Sequence, residues 1–361
     1  MIPVYRIFLI ALLLAAASPI FSQSNDDLPS APSAVNKPKP GPKPDPAPLP
    51  ATEQTPPQSA PAAADLSDPR DKNDANAPSS DPNTIRVPVN EVNVVFTVTD
   101  KHNRYVKDLR KTDFKVLDDD RPVEEIRSFR RETDLPLQVG LLIDASNSIR
   151  ERFKFEQESA IEFLNDTIRP RYDKAFVLGF DIAPELTQDF TDSSEKLSQG
   201  IRALQPGNAT AMYDAVYYAC RDKLLKSQQQ TSVRRAIVLV SDGNDNASHV
   251  TREEAIEMAL RANTIIYTIS TNFPSGGDSD RYDKVLERIA DATGGRAFRP
   301  FQLTDVANAF AQIQDDLRSQ YALSYHPANF AHDGRYRTIA ISAVKKGLKV
   351  RSRTGYYAPG E

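Results

Sequence analysis

The chain has 361 residues, a formal net charge of −4 and a single cysteine, Cys220. This length leaves room for two domains plus extensions, at roughly 150 residues per domain. The 45 basic and 49 acidic side chains nearly balance, which argues against a nucleic-acid-binding protein, and one cysteine excludes an internal disulfide.

The first residues have the layout of a secretory signal peptide. Arg6 precedes the apolar run Ile7–Ala17, and small and polar residues follow up to Ser22. The run is too short for a transmembrane helix, which needs about 20 apolar residues. We therefore predict that residues 1–22 are a signal peptide. The protein is then exported, to the periplasm, the cell surface or the medium, with no integral membrane segment after cleavage.

Residues 23–85 are rich in Pro, Ala, Asp and Ser, and 16 of the 27 prolines lie between Pro29 and Pro88. Alternation of proline with polar residues favours an extended polyproline II conformation. Such a composition cannot bury enough apolar surface to offset the entropy of ordering. We predict a disordered linker, and a PxxP-type ligand is the alternative.

Residues 86–134 have the pattern of β-strands. Val92, Val94, Phe96 and Val98 alternate with other residues, which is the period of a half-buried strand. Phe114–Leu117 follows and ends at three adjacent aspartates, which we interpret as a solvated turn, with a calcium site as the alternative.

Residues 135–318 alternate apolar strand patterns with amphipathic helix patterns, which predicts a mostly parallel sheet with helices on both faces. Thr251 and Glu254 are spaced as a capping box. The predicted elements are Leu137–Ile143, Phe153–Ile168, Ala175–Phe180, Ser193–Leu204, Met212–Lys226, Ala236–Val240, Thr251–Arg261, Ile265–Ser270, Lys284–Ala292 and Thr304–Leu317.

Residues 319–361 return to β patterns at Tyr321–Tyr325, Arg335–Val344 and Leu348–Arg353. In the last of these, Lys349, Arg351 and Arg353 are expected to face solvent. A small isolated sheet at either end would leave an apolar face uncovered. We therefore predict one β-sandwich, built from 86–134 and 319–361, with the α/β domain inserted between its halves.

Oxygen-bearing side chains follow two of the predicted parallel strands. Asp144-Ala-Ser146-Asn-Ser148 follows Leu137–Ile143, and Asp242-Gly243 follows Ala236–Val240; Thr210 lies in a turn before a helix. The carboxyl ends of such strands form a crevice, and Mg²⁺ prefers oxygen ligands. The pattern predicts a metal site, whereas an isolated D-x-S-x-S is often only a turn that caps a helix.

These three motifs, in this order, resemble the metal-ion-dependent adhesion site (MIDAS) of von Willebrand factor type A (vWA) domains over about residues 135–318. The resemblance implies that Ser146, Ser148 and Thr210 contact a divalent metal. It implies that Asp144 and Asp242 hold it directly or through water. Mg²⁺ is the first choice, with Mn²⁺ or Ca²⁺ as alternatives, and an Asp or Glu of a partner protein completes the coordination. Asp214 is a candidate for supporting the ligands without binding the metal itself, with a helix-cap carboxylate as the equal alternative.

The flanks add a resemblance to the acidobacterial vWA-related family of exported proteins. Val98-Thr-Asp, Asp113-Phe-Lys-Val and the closing Gly355-Tyr-Tyr-Ala-Pro359 carry it, over about residues 86–359. It implies an architecture and an envelope location.

The predicted function is an exported, metal-dependent protein-binding or adhesion module without catalytic or cofactor-binding residues. A structural envelope protein without a ligand and a Mg²⁺-dependent hydrolase are the alternatives. A Ser-based hydrolase would need a histidine base oriented by a third group. None of the four histidines (His102, His249, His326 and His332) lies in a recognisable motif.

Overall fold

The computed structural model describes residues 91–360 apart from short gaps at 132–134, 147–152, 208, 228–232, 273–277 and 328–330. The predicted signal peptide and linker lie outside the described residues. Within the described part, no helix is both long and apolar enough to cross a membrane.

The described elements follow the predicted order of β, α/β and β segments. The strands are β1 (Val92–Thr99), β2 (Phe114–Asp118), β3 (Arg121–Pro122), β4 (Ile126–Arg131), β5 (Leu137–Asp144), β6 (Lys174–Phe180), β7 (Pro184–Thr191), β8 (Arg234–Ser241), β9 (Thr264–Ser270), β10 (Ala297–Phe298), β11 (Gln320–Tyr325), β12 (Tyr336–Ala343), β13 (Lys349–Ser352) and β14 (Gly355–Tyr357). The helices are α1 (Phe153–Thr167), α2 (Ser194–Ala203), α3 (Met212–Tyr218), α4 (Arg252–Arg261), α5 (Asp278–Thr293) and α6 (Leu303–Leu317).

The central sheet has six strands in the order β10-β9-β8-β5-β6-β7. All neighbouring pairs are parallel except β6 and β7. Every residue of β5 is buried, because helices cover both faces of the sheet and give it two apolar cores. The predicted mixed α/β fold with a mostly parallel sheet is confirmed.

Two helices show how local sequence sets this layer. The Thr251 hydroxyl accepts a hydrogen bond from the Glu254 amide at 3.2 Å, and Glu254 Oε2 accepts one from the Thr251 amide at 2.7 Å. The predicted capping box therefore starts α4. On α6, Phe310 stacks on Phe163 of α1 at 4.9 Å between ring centroids, so the apolar stripe of α6 faces the core.

The two ends of the chain share one β-sandwich, as predicted. One sheet has the order β13-β1-β11-β4 and the other β14-β12-β2-β3, so each sheet contains strands from both ends. Between the sheets, Phe96 packs on Phe114 and Tyr321 with ring centroids 5.0 and 5.6 Å apart. The domain limits at residues 86, 134, 318 and 361 stay predictions.

Three features of the α/β part differ from the predicted elements. β7 was not predicted, because this edge strand is only half-buried and has few apolar residues. Short β10 was also not predicted. The helix predicted over Met212–Lys226 is α-helical only to Tyr218, and a π-helical segment, Ala219–Leu225, continues it.

The prediction that Arg351 and Arg353 face solvent is wrong. Both side chains are partly buried. Arg353 donates to the Asn93 carbonyl at 2.8 Å and to Asn263 Oδ1 at 2.5 Å, and Asn263 belongs to the α/β part. The period-2 pattern places Arg353 on the outer face of the sandwich, but that face is covered by the inserted α/β domain.

Candidate metal centre

Asp144 is the last residue of the central strand β5, and it is fully buried. Its Oδ1 accepts a hydrogen bond from the Ser146 amide at 2.8 Å, and its Oδ2 accepts one from the Ser241 hydroxyl at 2.6 Å. Ser241 ends the neighbouring strand β8, so these bonds fix the carboxylate between two strand ends.

Asp242 follows β8 directly and is partly exposed. Because β5 and β8 are parallel neighbours, with Ile143 opposite Val240, Asp144 and Asp242 leave the same edge of the sheet side by side. Asp242 Oδ1 accepts a hydrogen bond from the Asn244 amide at 2.9 Å. Gly243 has φ +80°, and a Cβ there would lie 2.7 Å from a backbone oxygen, so only glycine fits this turn.

Burial raises the pKa of Asp144 to about 6, and the negative charge of Asp242 acts in the same direction. Hydrogen bonds from Ser241 and Ser146 oppose the rise. Two carboxylates that repel each other at a partly dried strand end would both be stabilised by a cation between them.

Thr210 is buried in the loop between α2 and α3, and backbone bonds tie this loop to both strand ends. Its amide donates to Asn246 Oδ1 at 3.0 Å, and its carbonyl accepts from the Asn246 amide at 3.0 Å. On the other side, the Gly207 amide donates to the Ala145 carbonyl. The loop is therefore held against the residues that follow β5 and those that follow Asp242.

Ser146 is buried next to Asp144. Ser148 lies outside the described residues, so its predicted contact with a metal stays a prediction. Of the five predicted metal ligands, the structure therefore places four, which are Asp144, Ser146, Thr210 and Asp242, on three segments joined by hydrogen bonds.

Asp214, the candidate supporting residue, lies in the first turn of α3. Its carboxylate accepts hydrogen bonds from the loop that leads to α4. Its Oδ1 accepts from the His249 and Val250 amides, both at 2.9 Å, and its Oδ2 lies 2.9 Å from His249 Nδ1. Partial burial raises the pKa of Asp214, but these hydrogen bonds outweigh it and hold the pKa below its usual range. The carboxylate thus caps backbone of the loop that follows Asp242.

The set of residues that supports Asp144 and Asp242 was not predicted from the sequence. Besides Ser241, it includes Asn272, whose Nδ2 donates to the Asp242 carbonyl at 2.8 Å and to Asp283 Oδ1 at 2.9 Å. Asp245 accepts the Tyr213 amide at 2.9 Å and so joins this loop to α3. The sequence held one signal for this supporting set, the serine that ends β8. Ser241 directly precedes Asp242, and its hydroxyl therefore lies at the same edge of the sheet as Asp144.

The donor set suits a hard divalent cation. No group of three or more His, Cys, Asp or Glu that could hold a metal occurs in the described ranges. Two carboxylates with hydroxyl oxygens are ligands of the kind that hard divalent cations prefer. Zinc sites more often use nitrogen or sulfur ligands.

Comparison with known proteins agrees with the domain type. The sequence profile of the von Willebrand factor type A domain matches residues 139–244, which span β5, the Thr210 loop and Asp242. Calcium-activated chloride channel regulator 1 of Bos taurus is 28% identical over 184 residues, 48% of this chain. The match spans only 19% of that regulator.

Two solved structures resemble this chain at low identity. One is mussel byssus proximal thread matrix protein 1 with a zinc-occupied MIDAS motif, at 15% identity and TM-score 0.44, covering 54% of this chain and 49% of that one. The other is the vWF domain of the pilus tip protein Mfa5 from Porphyromonas gingivalis, at 17% identity and TM-score 0.42, covering 51% and 95%.

Proposed function

We propose that this chain, which carries a vWA domain, is an exported protein-binding module that holds a divalent cation at its metal centre. Asp144, Ser146, Ser148, Thr210 and Asp242 would hold the ion, and Mg²⁺ is the preferred candidate. An Asp or Glu of a partner protein would take the open coordination position.

The observation that carries the proposal is the pairing of Asp144 and Asp242 at the ends of adjacent parallel strands. Asp144 is buried and its pKa is raised to about 6, because burial and the charge of Asp242 outweigh the hydrogen bonds that its carboxylate accepts. A bound cation would supply a compensating positive charge. Mg²⁺ takes six ligands in an octahedral arrangement, so the five proposed side-chain oxygens would leave one position that a partner carboxylate can take.

A binding role is favoured over hydrolysis by the partners of the nearest histidine. His249 Nδ1 lies 2.9 Å from Asp214 Oδ2, and the His249 side chain is 90% exposed. The adjacent Ser248 hydroxyl donates to Asp245 Oδ2 at 2.6 Å and not to the imidazole. Serine, histidine and carboxylate therefore do not form a nucleophile relay here.

Thermal unfolding tests the metal site. A ligand at about 100 times its dissociation constant stabilises the folded state by about 2.7 kcal/mol. We expect millimolar MgCl₂ to raise the melting temperature of the wild type relative to EDTA, and Asp144→Ala to abolish the rise. Asp192→Ala, at a partly exposed carboxylate that accepts the Arg171 amide and lies after β7, is the matched control and should keep it. An unchanged wild-type melting curve would disprove the metal assignment.

A pull-down from envelope extract tests the partner. Proteins retained by the wild type with MgCl₂ should be released by EDTA and should not be retained by Asp144→Ala. Retention that is equal in MgCl₂ and EDTA would mean that the partner binds elsewhere on the chain.

A further inference from the structure

A second site lies at the opposite end of the central sheet from the metal centre. There the α/β part and the sandwich enclose a cavity of about 310 Å³. Arg235 lines it from the start of β8, whereas Asp242 follows the other end of the same strand. At about 3.3 Å per residue, the two sites are roughly 20 Å apart.

The charged groups that line this cavity all have the same sign. Four arginines, and neither Asp nor Glu, are among its described lining residues: Arg130, Arg234, Arg235 and Arg353. The planar guanidinium of arginine presents paired N–H donors that fit the oxygens of a carboxylate or a phosphate. A pocket with this lining is complementary to an anion.

Among the described residues, no carboxylate pairs with the half-buried Arg235 or with Arg353. The Nη1 and Nη2 of Arg353 donate to Asn263 Oδ1 and the Asn93 carbonyl. Arg235 Nε and Arg353 Nε are buried and have no hydrogen-bond partner within the part of the chain that the structure describes. Burial lowers the pKa of both groups, and no carboxylate is among the groups that act on either of them. Buried charges are ordinarily paired, so this pair of donors points to a ligand.

The rest of the lining is mixed: six residues are apolar, and four are neutral and polar, namely Asn93, Asn263, Thr264 and Thr293. Val95 of β1 and Ala322 of β11 contribute from the sandwich, and Leu260 and Ile265 contribute from the α/β part. Small-molecule sites are typically apolar with a few convergent polar groups, and their volumes start at roughly 300 Å³. The cavity therefore offers guanidinium groups together with apolar surface on both folded parts.

We propose that this cavity binds a small organic acid, with its anionic group on Arg235 and Arg353 and its apolar part between the two folded parts. The site is independent of the metal centre. Because the ligand would contact β8, β9 and the sandwich together, its binding also stabilises the junction between the two parts of the molecule.

Isothermal titration calorimetry on the full chain tests the proposal, with octanoate as the probe. Octanamide, its neutral analogue, and inorganic phosphate are the comparison ligands. We expect octanoate to bind at least about tenfold more tightly than octanamide, because a charged hydrogen-bonded contact contributes about 1.5 kcal/mol or more. Equal affinity for the acid and the amide, or for octanoate and phosphate, would overturn it.

Variants locate the site. Arg235→Met should abolish octanoate binding, while Arg127→Met, an exposed arginine on β4, should leave it unchanged. Asp144→Ala should also leave it unchanged, which separates this site from the metal centre. Binding that survives Arg235→Met overturns the proposal.

Stability without ligand is a second readout. Because Arg235 has no carboxylate partner in the described residues, Arg235→Met should melt at the same temperature as the wild type or higher in octanoate-free buffer. A clear loss of stability would show that Arg235 has a structural partner. Octanoate binding that appears only after Glu132→Gln and Asp134→Asn would mean that the chain's own acids fill this role, which also overturns the proposal.

Discussion

Arg318 Nη2 lies 2.7 Å from Asp173 Oδ2, and this contact fastens the end of α6 to the base of the central sheet. Asp173 is fully buried, and its Oδ1 accepts the amide of Leu137, the first residue of β5, at 2.8 Å. Arg169 adds a bond to Oδ2 at 2.9 Å. One carboxylate therefore joins the last helix, the central strand and the loop before β6.

Replacing Asp173 should destabilise the protein strongly. Asp173→Asn leaves two guanidinium groups facing a neutral amide. Removing one partner of a buried ion pair costs about 3–5 kcal/mol, and we expect the lower end because Arg169 and Arg318 partly reach solvent. Urea unfolding at pH 7 measures the loss. Asp189→Asn, at an exposed carboxylate that pairs with the mostly covered Lys223, should cost less than about 1 kcal/mol.

The same pair has a defined pH dependence. Although burial raises the pKa of Asp173, hydrogen bonds from Arg169, Leu137 and Arg318 hold it below the ordinary value of 3.8. The stabilisation is therefore present above about pH 4 and is lost as pH falls through the lower folded-state pKa. The difference between wild type and Asp173→Asn should shrink below pH 4; a constant difference would contradict this account.

Asp316, the next-to-last residue of α6, is predicted to behave in the opposite way. It is buried, and its nearest cation, Arg351, is 3.8 Å away. Burial raises its pKa to about 6, despite the opposing charge of Arg351. Because the folded-state pKa exceeds the ordinary 3.8, the ionised carboxylate costs stability that grows as pH rises from about 4 to 6.

Asp316→Asn should therefore stabilise the protein at pH 7.5 and have little effect at pH 4. The gain is on the order of 1–3 kcal/mol, at about 1.4 kcal/mol per pKa unit. Chemical unfolding across this pH range measures it, with the exposed neighbour Asp315→Asn as the control. A loss of stability at pH 7.5 would show that the attraction to Arg351 exceeds the cost of burial.

Metal binding should weaken at acidic pH. Metal ligands have to be deprotonated, and the pKa of Asp144 is about 6 without metal. The Mg²⁺-dependent rise in melting temperature should be full at pH 7.5 and small at pH 5. Asp192→Ala, which leaves the proposed metal ligands intact, is the control and should show the same dependence on pH as the wild type. An equal Mg²⁺ effect at both pH values would contradict the role of Asp144.

Ser241 should tune the metal site without touching the metal. Its hydroxyl holds Asp144 Oδ2 and accepts the Gly243 amide at 3.0 Å, so Ser241→Ala frees both strand ends. Outer-shell partners are typically worth about 10–100-fold in metal affinity. Ser324→Ala is the matched control, because the Ser324 hydroxyl is also buried but bonds the Ser128 hydroxyl within the sandwich. Equal Mg²⁺ affinities of the two variants would count against this role.

Periodic apolar patterns predicted the parts of the fold that are buried on a whole face, such as β5 and α6. They did not predict β7, because an edge strand needs few apolar residues. They also predicted that Arg353 faces solvent, because the alternation along a strand does not show whether another domain covers its outer face. The motifs at Asp144, Thr210 and Asp242 could be predicted to form one site, because the carboxyl ends of parallel strands lie at the same edge of the sheet. The role of Asp173 could not be predicted, because its partners Leu137, Arg169 and Arg318 lie far from one another in the sequence and come together only in the fold.

The final prediction concerns coupling between the metal centre and the sandwich. Only Arg318 and Ser319 separate α6 from β11, so a shift of α6 would pull on the strand at Tyr321–Tyr325. Such coupling would require α6 to have two alternative positions. The junction is instead held at several points: Arg318 binds Asp173 and the Thr167 carbonyl, and Gln320 Nε2 donates to the Tyr267 hydroxyl at 3.1 Å.

We therefore expect this junction to clamp α6 and to keep the site in one state. Hydrogen exchange at Tyr321–Tyr325 should be the same with saturating Mg²⁺ and with EDTA in the wild type. Arg318→Gln, which removes the clamp, should raise exchange in this strand under both conditions, whereas the exposed Arg127→Gln should not. Protection that changes with Mg²⁺ in the wild type, at confirmed metal saturation, would show that α6 moves and that the clamp is a switch.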